Sequence, residues 1–140
     1  MIFVIGPPKR RNLKMDLNKM KSNLIMKSLY FKEFNFSREE KITDGELSVE
    51  LKKNIETVSQ HNYNIVLELN INNESNDINL HVVTIGNFEF DSDDYSAEEA
   101  IINKNTVAIM FPYIRSHITL MTSQPNMNPI ILPPINFSDI

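Results

Sequence analysis

The sequence predicts an α+β protein: a four-stranded antiparallel sheet followed by one long, proline-containing helix. Three observations carry this. Apolar and polar residues alternate with period two through residues 47–90. After Ser96 the apolar spacing changes to a helical one. Strand-like segments come first and the helix-like segment last, which is the order of an α+β chain rather than of repeated strand–helix units.

The first strand is expected from Lys27 to Phe36, where Tyr30, Phe31, Phe34 and Phe36 give the aromatic enrichment that suits a sheet. Ser37 to Glu46 is charged and contains Asp44-Gly45, so it reads as a connection. Leu47, Val49 and Leu51 alternate with Ser48, Glu50 and Lys52, and this half-buried strand runs on through Ile55 and Thr57. Ser59 to Asn62 reads as a turn. Tyr63, Ile65, Leu67, Leu69 and Ile71 then form one apolar face, with Asn64, Glu68, Asn70 and Asn72 opposite. The polar run Asn73 to Asn76 makes the next link a hairpin. In the fourth strand Ile78, Leu80 and Val82 alternate, the phase slips at Val83, and Gly86 follows, which predicts a bulge before Phe88 and Phe90. Short links between sequential strands make the arrangement antiparallel.

Ser96-Ala97-Glu98-Glu99 has capping-box spacing, and its acids suit the positive end of a helix dipole. The helix is expected from Ala97 to Thr122, with Met110, Ile114, Ile118 and Met121 on one face. Pro112 lies inside it and removes the bond to the Ala108 carbonyl, so a kink or break is expected. Pro125, Pro129, Pro133 and Pro134 enforce extended chain as far as Phe137.

The 140 residues give room for one domain with one modest core. No apolar run approaches the roughly eighteen residues of a membrane helix. The chain has no cysteine, which excludes disulfides and thiolate metal sites. It has three glycines and neither a P-loop nor a dinucleotide fingerprint, which argues against an ATP-driven mechanism. His61, His81 and His117 are scattered without metal-ligand spacing. Asp91, Asp93 and Asp94 start like a calcium loop, but Ser96 and Ile102 occupy the positions that need Gly and Glu. No catalytic residue, metal or cofactor is assigned, and the chain is not read as an enzyme.

Charge is unevenly placed. Residues 1–27 hold seven basic residues and one acid, whereas residues 28–140 hold seven basic and seventeen acidic residues, a net of −10. An acidic body repels nucleic acid and anionic membranes and attracts basic clients or a basic partner surface. In residues 1–26 an apolar run precedes the basic cluster, the reverse of a secretory signal. This segment reads as disordered or extraneous, with translation starting at Met15, Met20 or Met26, or as a basic arm for RNA or an acidic partner. Residues 27–140 form the domain. One sheet backed by one helix buries only one side well, so an apolar face is left that invites oligomerisation.

Two blocks near the end of the chain are distinctive: Met110-Phe111-Pro112-Tyr113-Ile114-Arg115-Ser116-His117-Ile118-Thr119, and Leu132-Pro133-Pro134-Ile135-Asn136-Phe137. Their wording and separation resemble the SecB family of protein-export chaperones. Tyr30-x-Lys32-Glu33-x-x-Phe36 resembles that family's first strand, and Tyr63-x-Ile65-Val66-Leu67 its third. The resemblance covers roughly Lys27 to Phe137. It implies a cytoplasmic homotetramer, a dimer of dimers that holds unfolded preproteins in apolar grooves and passes them to the export motor SecA. It implies client-binding roles for Phe36, Met127, Ile130, Leu132 and Phe137, and a motor-binding role for Glu33. Phe111, Tyr113 and Arg115 would belong to the inter-dimer helix. Three departures stand against a plain transfer. The 37–46 connection is short and lacks the usual Trp and Pro, the family's C-terminal helix and tail have no counterpart, and the basic N-terminal stretch is additional. Relatives dedicated to the antitoxin of a toxin–antitoxin pair make that a second implied role, and a non-catalytic oligomeric scaffold is a third reading.

Overall fold

The computed structural model describes residues 23–134. Four strands, β1 (Asn23–Arg38), β2 (Leu47–Ser59), β3 (Asn62–Asn73) and β4 (Ile78–Asp91), precede one helix, α1 (Glu98–Thr122). The sheet is antiparallel in the order β1-β4-β3-β2, so the connection from β1 to β2 crosses the whole sheet. β1 begins at Asn23, upstream of the strand start expected at Lys27, and the rest of residues 1–26 lie outside the described residues.

The inner face of the sheet carries the core. Ile65, Leu67, Leu69 and Ile71 of β3 and Ile78, Leu80, Val82, Phe88 and Phe90 of β4 are buried there. They meet Ile102, Val107, Met110, Phe111, Ile114 and Ile118 of α1. Each side chain of this size, fully buried, stabilises the fold by roughly 1.5–3 kcal/mol before entropy is counted.

The bulge predicted in β4 is not there. β3 and β4 stay in unbroken register from Asn62↔Glu89 to Asn72↔Asn79. The inward positions simply include Thr84 and Gly86, whose polar and absent side chains imitate a phase slip. The bulges lie in β1 instead, where the register shifts at Lys27 and at Lys32. They put Leu24, Met26, Leu29, Phe31, Phe34 and Phe36 all toward the core, a spacing of alternating twos and threes that a regular strand could not present to one face.

The helix also departs from expectation in three respects. The capping box does not form. The cap residue is Ala97, without a side-chain bond, and Asp94 Oδ1 accepts from the Ser96 N–H. Pro112 does not break α1. Ala108, whose carbonyl loses its partner, lies on the exposed side where water can serve it, and buried Val107, Phe111 and Ile114 hold both flanks against the sheet. Met121 is exposed, and its expected inward place is taken by buried Thr122.

Candidate functional site

The Pro-rich segment after α1 is fastened to the helix through one residue. Thr122 Oγ1 donates to the Ile118 carbonyl (2.7 Å) and accepts from the Ile130 N–H (2.8 Å). Thr119 Oγ1 donates to the Ile130 carbonyl (2.8 Å). Both backbone groups of Ile130 are therefore satisfied by threonines, which lets Ile130 and Leu132 sink into the core while Ile131 is left 71% exposed. Asn126 turns the chain with φ 62°, and its carbonyl lies 3.4 Å from both terminal nitrogens of Arg38.

The crossover connection is held just as specifically. The Glu39 N–H donates to the Asp77 carbonyl (2.7 Å), and Asp77 Oδ2 accepts from the Thr43 hydroxyl (2.7 Å) and N–H (3.0 Å). These bonds, the Thr43 N–H foremost, hold the Asp77 carboxyl below the ordinary carboxylate range. Asn73 is buried, donates to the Asp44 carbonyl (2.9 Å) and accepts from the Ile78 N–H (3.2 Å).

Between these two straps lies an apolar groove of about 530 Å³. Ile42, Leu47, Val49 and Ile78 form one side, and residues 126–133 the other. Met127, Ile130 and Leu132 are thus brought together, but unequally. Ile130 and Leu132 are buried and form the floor, whereas Met127 is half-buried at the mouth. Phe36 does not join them. It faces the core from β1, opposite Leu80, and borders a separate hollow of about 610 Å³ that Asn35, Asn70, Asn79 and His81 also line. Phe137 lies outside the described residues. The sequence reading missed Val49 and Ile131 as exposed apolar rims, and Thr119 and Thr122 as the clamps; the inward alternation of Val49 was the available signal for the first.

Glu33 stands on the outer sheet face, half-exposed, with His81 Nδ1 at 3.5 Å, and Glu68 Oε1 lies 3.1 Å from the other ring nitrogen. On α1, Phe111 is buried in the core of the chain. Tyr113 is 52% exposed, Arg115 is half-buried, and Leu120 at 69% and Ile131 extend the same outward apolar strip. The far end of the sheet is closed by Glu98. Its Oε1 accepts from the Tyr63 hydroxyl (2.9 Å) and lies 2.6 Å from His61 Nδ1, while the Tyr95 ring stacks on His61 at 3.9 Å.

Chemically, the groove has an apolar floor of Ile130 and Leu132 with the flexible Met127 at its mouth. The model of the family described as preprotein translocase subunit SecB matches residues 18–140. The chain belongs to the SecB family of chaperones. Among solved structures, it is similar in fold to the Mycobacterium tuberculosis SecB-like chaperone Rv1957, solved in complex with a ChAD peptide from the Rv1956 HigA1 antitoxin. The TM-score is 0.65 at 10% identity, covering 83% of this chain and 91% of that one. Among curated proteins, a 32-residue stretch is 56% identical to the uncharacterized protein MJ0357 of Methanocaldococcus jannaschii. That stretch is 23% of this chain and spans about a fifth (21%) of the relative's length.

Proposed function

We infer that this protein is an ATP-independent holdase that keeps unfolded preproteins extended in the groove between the crossover connection and residues 126–133. The observation that carries the reading is the double threonine clamp on Ile130, which fixes an apolar groove wall without filling the groove. Each Leu- or Phe-sized side chain buried from a client contributes roughly 1.5–3 kcal/mol, so a few shallow contacts offset the cost of ordering the segment. The outward strip of Tyr113, Leu120 and Ile131, with Arg115, is read as the helix surface through which copies assemble, as a tetramer of two dimers in the cytoplasm. Glu33 is read as a contact for a basic surface of SecA. The test is native mass by light scattering, with and without a permanently unfolded polypeptide. A mass near four chains that rises stoichiometrically with client is expected. A monomer or dimer indifferent to the client overturns the reading.

A second reading is a dedicated chaperone of a toxin–antitoxin pair. It is favoured by the antitoxin peptide bound to the M. tuberculosis neighbour and by His81, which sits between Glu33 and Glu68 and tempers the acidic face a motor would need. Binding to SecA, set against binding to an antitoxin tail peptide, separates the two.

A further inference from the structure

We propose that His81 is a proton-operated switch on the outer sheet face: protonated, it captures Glu33; neutral, it leaves Glu33 free for a lysine- or arginine-bearing partner surface. This rests on the reading of Glu33 as a contact for a basic surface and states when that contact is available.

Three strands bring the groups together. His81 of β4 lies outward because its neighbours Leu80 and Val82 are buried inward, and Glu68 of β3 lies outward between buried Leu67 and Leu69. Glu33 owes its place to the β1 bulge at Lys32. Phe31 stands opposite inward-facing Thr84, yet Glu33, two residues on, stands opposite Val83 on the outer side. The result is an imidazole between two carboxylates: Nε2 lies 3.1 Å from Glu68 Oε1, and Nδ1 lies 3.5 Å from Glu33 Oε2. Asn35 and Asn70 flank His81 in register and carry no charge. The other charged groups nearby are Lys32 in the bulge and, one strand further on β2, Glu50 opposite Asn70 and Lys52 opposite Glu68. Lys52 Nζ is engaged with Glu50 Oε1 at 3.5 Å. α1 packs against the opposite face of the sheet.

A neutral ring cannot serve both carboxylates. Neutral imidazole has one N–H and one bare lone pair, and only the imidazolium donates from both nitrogens. The shorter contact assigns the neutral ring's proton to Nε2, which donates to Glu68. The Nδ1 lone pair then faces Glu33 across 3.5 Å and repels it, which turns the half-exposed Glu33 toward solvent. Proton uptake makes the same nitrogen a donor, and Glu33 closes on it as an ion pair. The ring then holds both carboxylates, and a basic partner must compete with it for Glu33. By linkage, binding of such a partner and protonation of His81 oppose each other. The other two histidines are committed elsewhere: His61 to Glu98 and Tyr95, and His117 to the rings of Phe31 and Phe34.

The test uses the full chain and a short peptide of alternating Lys and Gly, at low salt. The peptide keeps its charge between about pH 5.5 and about pH 8, the span in which histidine changes its own. Wild-type binding is expected to be about threefold tighter at the higher pH, the scale of an exposed ion pair. His81→Gln should bind alike at both pH values, as tightly as the wild type at the higher one. Glu33→Gln should bind weakly at both. Equal wild-type binding at the two pH values would overturn the proposal. So would a pH dependence undiminished in His81→Gln, which places the titration elsewhere, or in Glu33→Gln, which reduces His81 to a repelling charge. NMR tests the capture without a partner. At the higher pH the ring proton is expected on Nε2 alone, and the Glu33 carboxylate carbon signal should move between the two pH values in the wild type but not in His81→Gln. A proton already on Nδ1 at the higher pH, or a Glu33 signal that does not move, would overturn the switch. If the peptide binds at neither pH, the reading of Glu33 as a partner contact fails, and the Glu33 signal alone then decides whether His81 captures it.

Discussion

The thioether of Met110 lies directly over Gly86: a Cβ built on Gly86 would come within 3.0 Å of Met110 Sδ and also within 3.0 Å of the Phe88 ring. Glycine in a strand interior ordinarily weakens the strand, so adding a methyl group would otherwise help. Here the Met could yield but the buried Phe88 ring could not. Gly86→Ala is expected to destabilise the fold by about 1–3 kcal/mol in urea unfolding. Coupling to Met110→Ala in a double-mutant cycle should recover part of that loss, and strict additivity of the two changes would contradict the contact.

Thr84 is the opposite case. It lies at the centre of the inner face of β4, fully buried, and its hydroxyl has no hydrogen-bond partner among the described residues. An unpaired buried hydroxyl costs about 1–3 kcal/mol. Thr84→Val keeps the shape and removes the cost, so the urea midpoint should rise with an unchanged slope. A fall in stability would show that the hydroxyl is satisfied in solution.

Tyr63 gives the fold an alkaline limit. Its phenol is held above its ordinary value by burial first, then by its hydrogen bond to Glu98, and by the charges of Glu98 and Glu99. A raised pKa means that the folded chain keeps a proton the unfolded chain loses. The contribution is therefore complete below about pH 10 and is lost as pH rises through the folded value. Unfolding free energy measured from pH 8 upward should fall more steeply for the wild type than for Tyr63→Phe.

Much of this architecture was legible in the sequence because period two survives at buried positions. The β3 face from Ile65 to Ile71 and the inward series Met110, Ile114, Ile118 are as read. What failed had local causes. In β4 a buried Thr and a Gly broke the apolar pattern without breaking the strand. In β1 two bulges turned a regular inner face into an irregular spacing. At the helix start, Asp94 took the Ser96 N–H that a capping box needs for Glu99. The groove was legible only in part. Met127, Ile130 and Leu132 were named together, but no sequence pattern announces that Thr119 and Thr122 bury two of them, or that Phe36 points into the core away from the groove.

The crossover connection should loosen in acid. Asp77 is held below the ordinary carboxylate range by the N–H and hydroxyl of Thr43. A lowered pKa contributes stability above the unfolded value of about 3.9 that is lost as pH falls through the folded value. Exchange of the Thr43 amide should therefore accelerate below about pH 4 beyond its intrinsic pH dependence, while core β3 amides do not follow. Asp77→Asn should free the same amide at neutral pH. Equal protection of Thr43 in both proteins would mean that the strap is held by other contacts.

The groove itself separates holding from folding. Ile130 and Leu132 are buried and line the floor, so shortening them creates a cavity: Ile130→Ala should cost about 2–5 kcal/mol of stability. Any loss of client binding in that variant would be uninterpretable alone, because a loosened wall no longer shapes the groove. Met127 at the mouth and Val49 at the rim are partly solvated already, so polar replacements leave no comparable cavity. Met127→Asn and Val49→Thr should move stability by no more than about 0.5 kcal/mol, as surface changes do. If an unfolded polypeptide is gripped here, the same two changes should raise, several-fold, the protein concentration needed to suppress aggregation of a slow-folding client. Their effects should also be less than additive, because both side chains face the same segment. Suppression undiminished in the double variant would move the client contact away from this groove, and the exposed strip of Tyr113, Leu120 and Ile131 would be the next surface to alter.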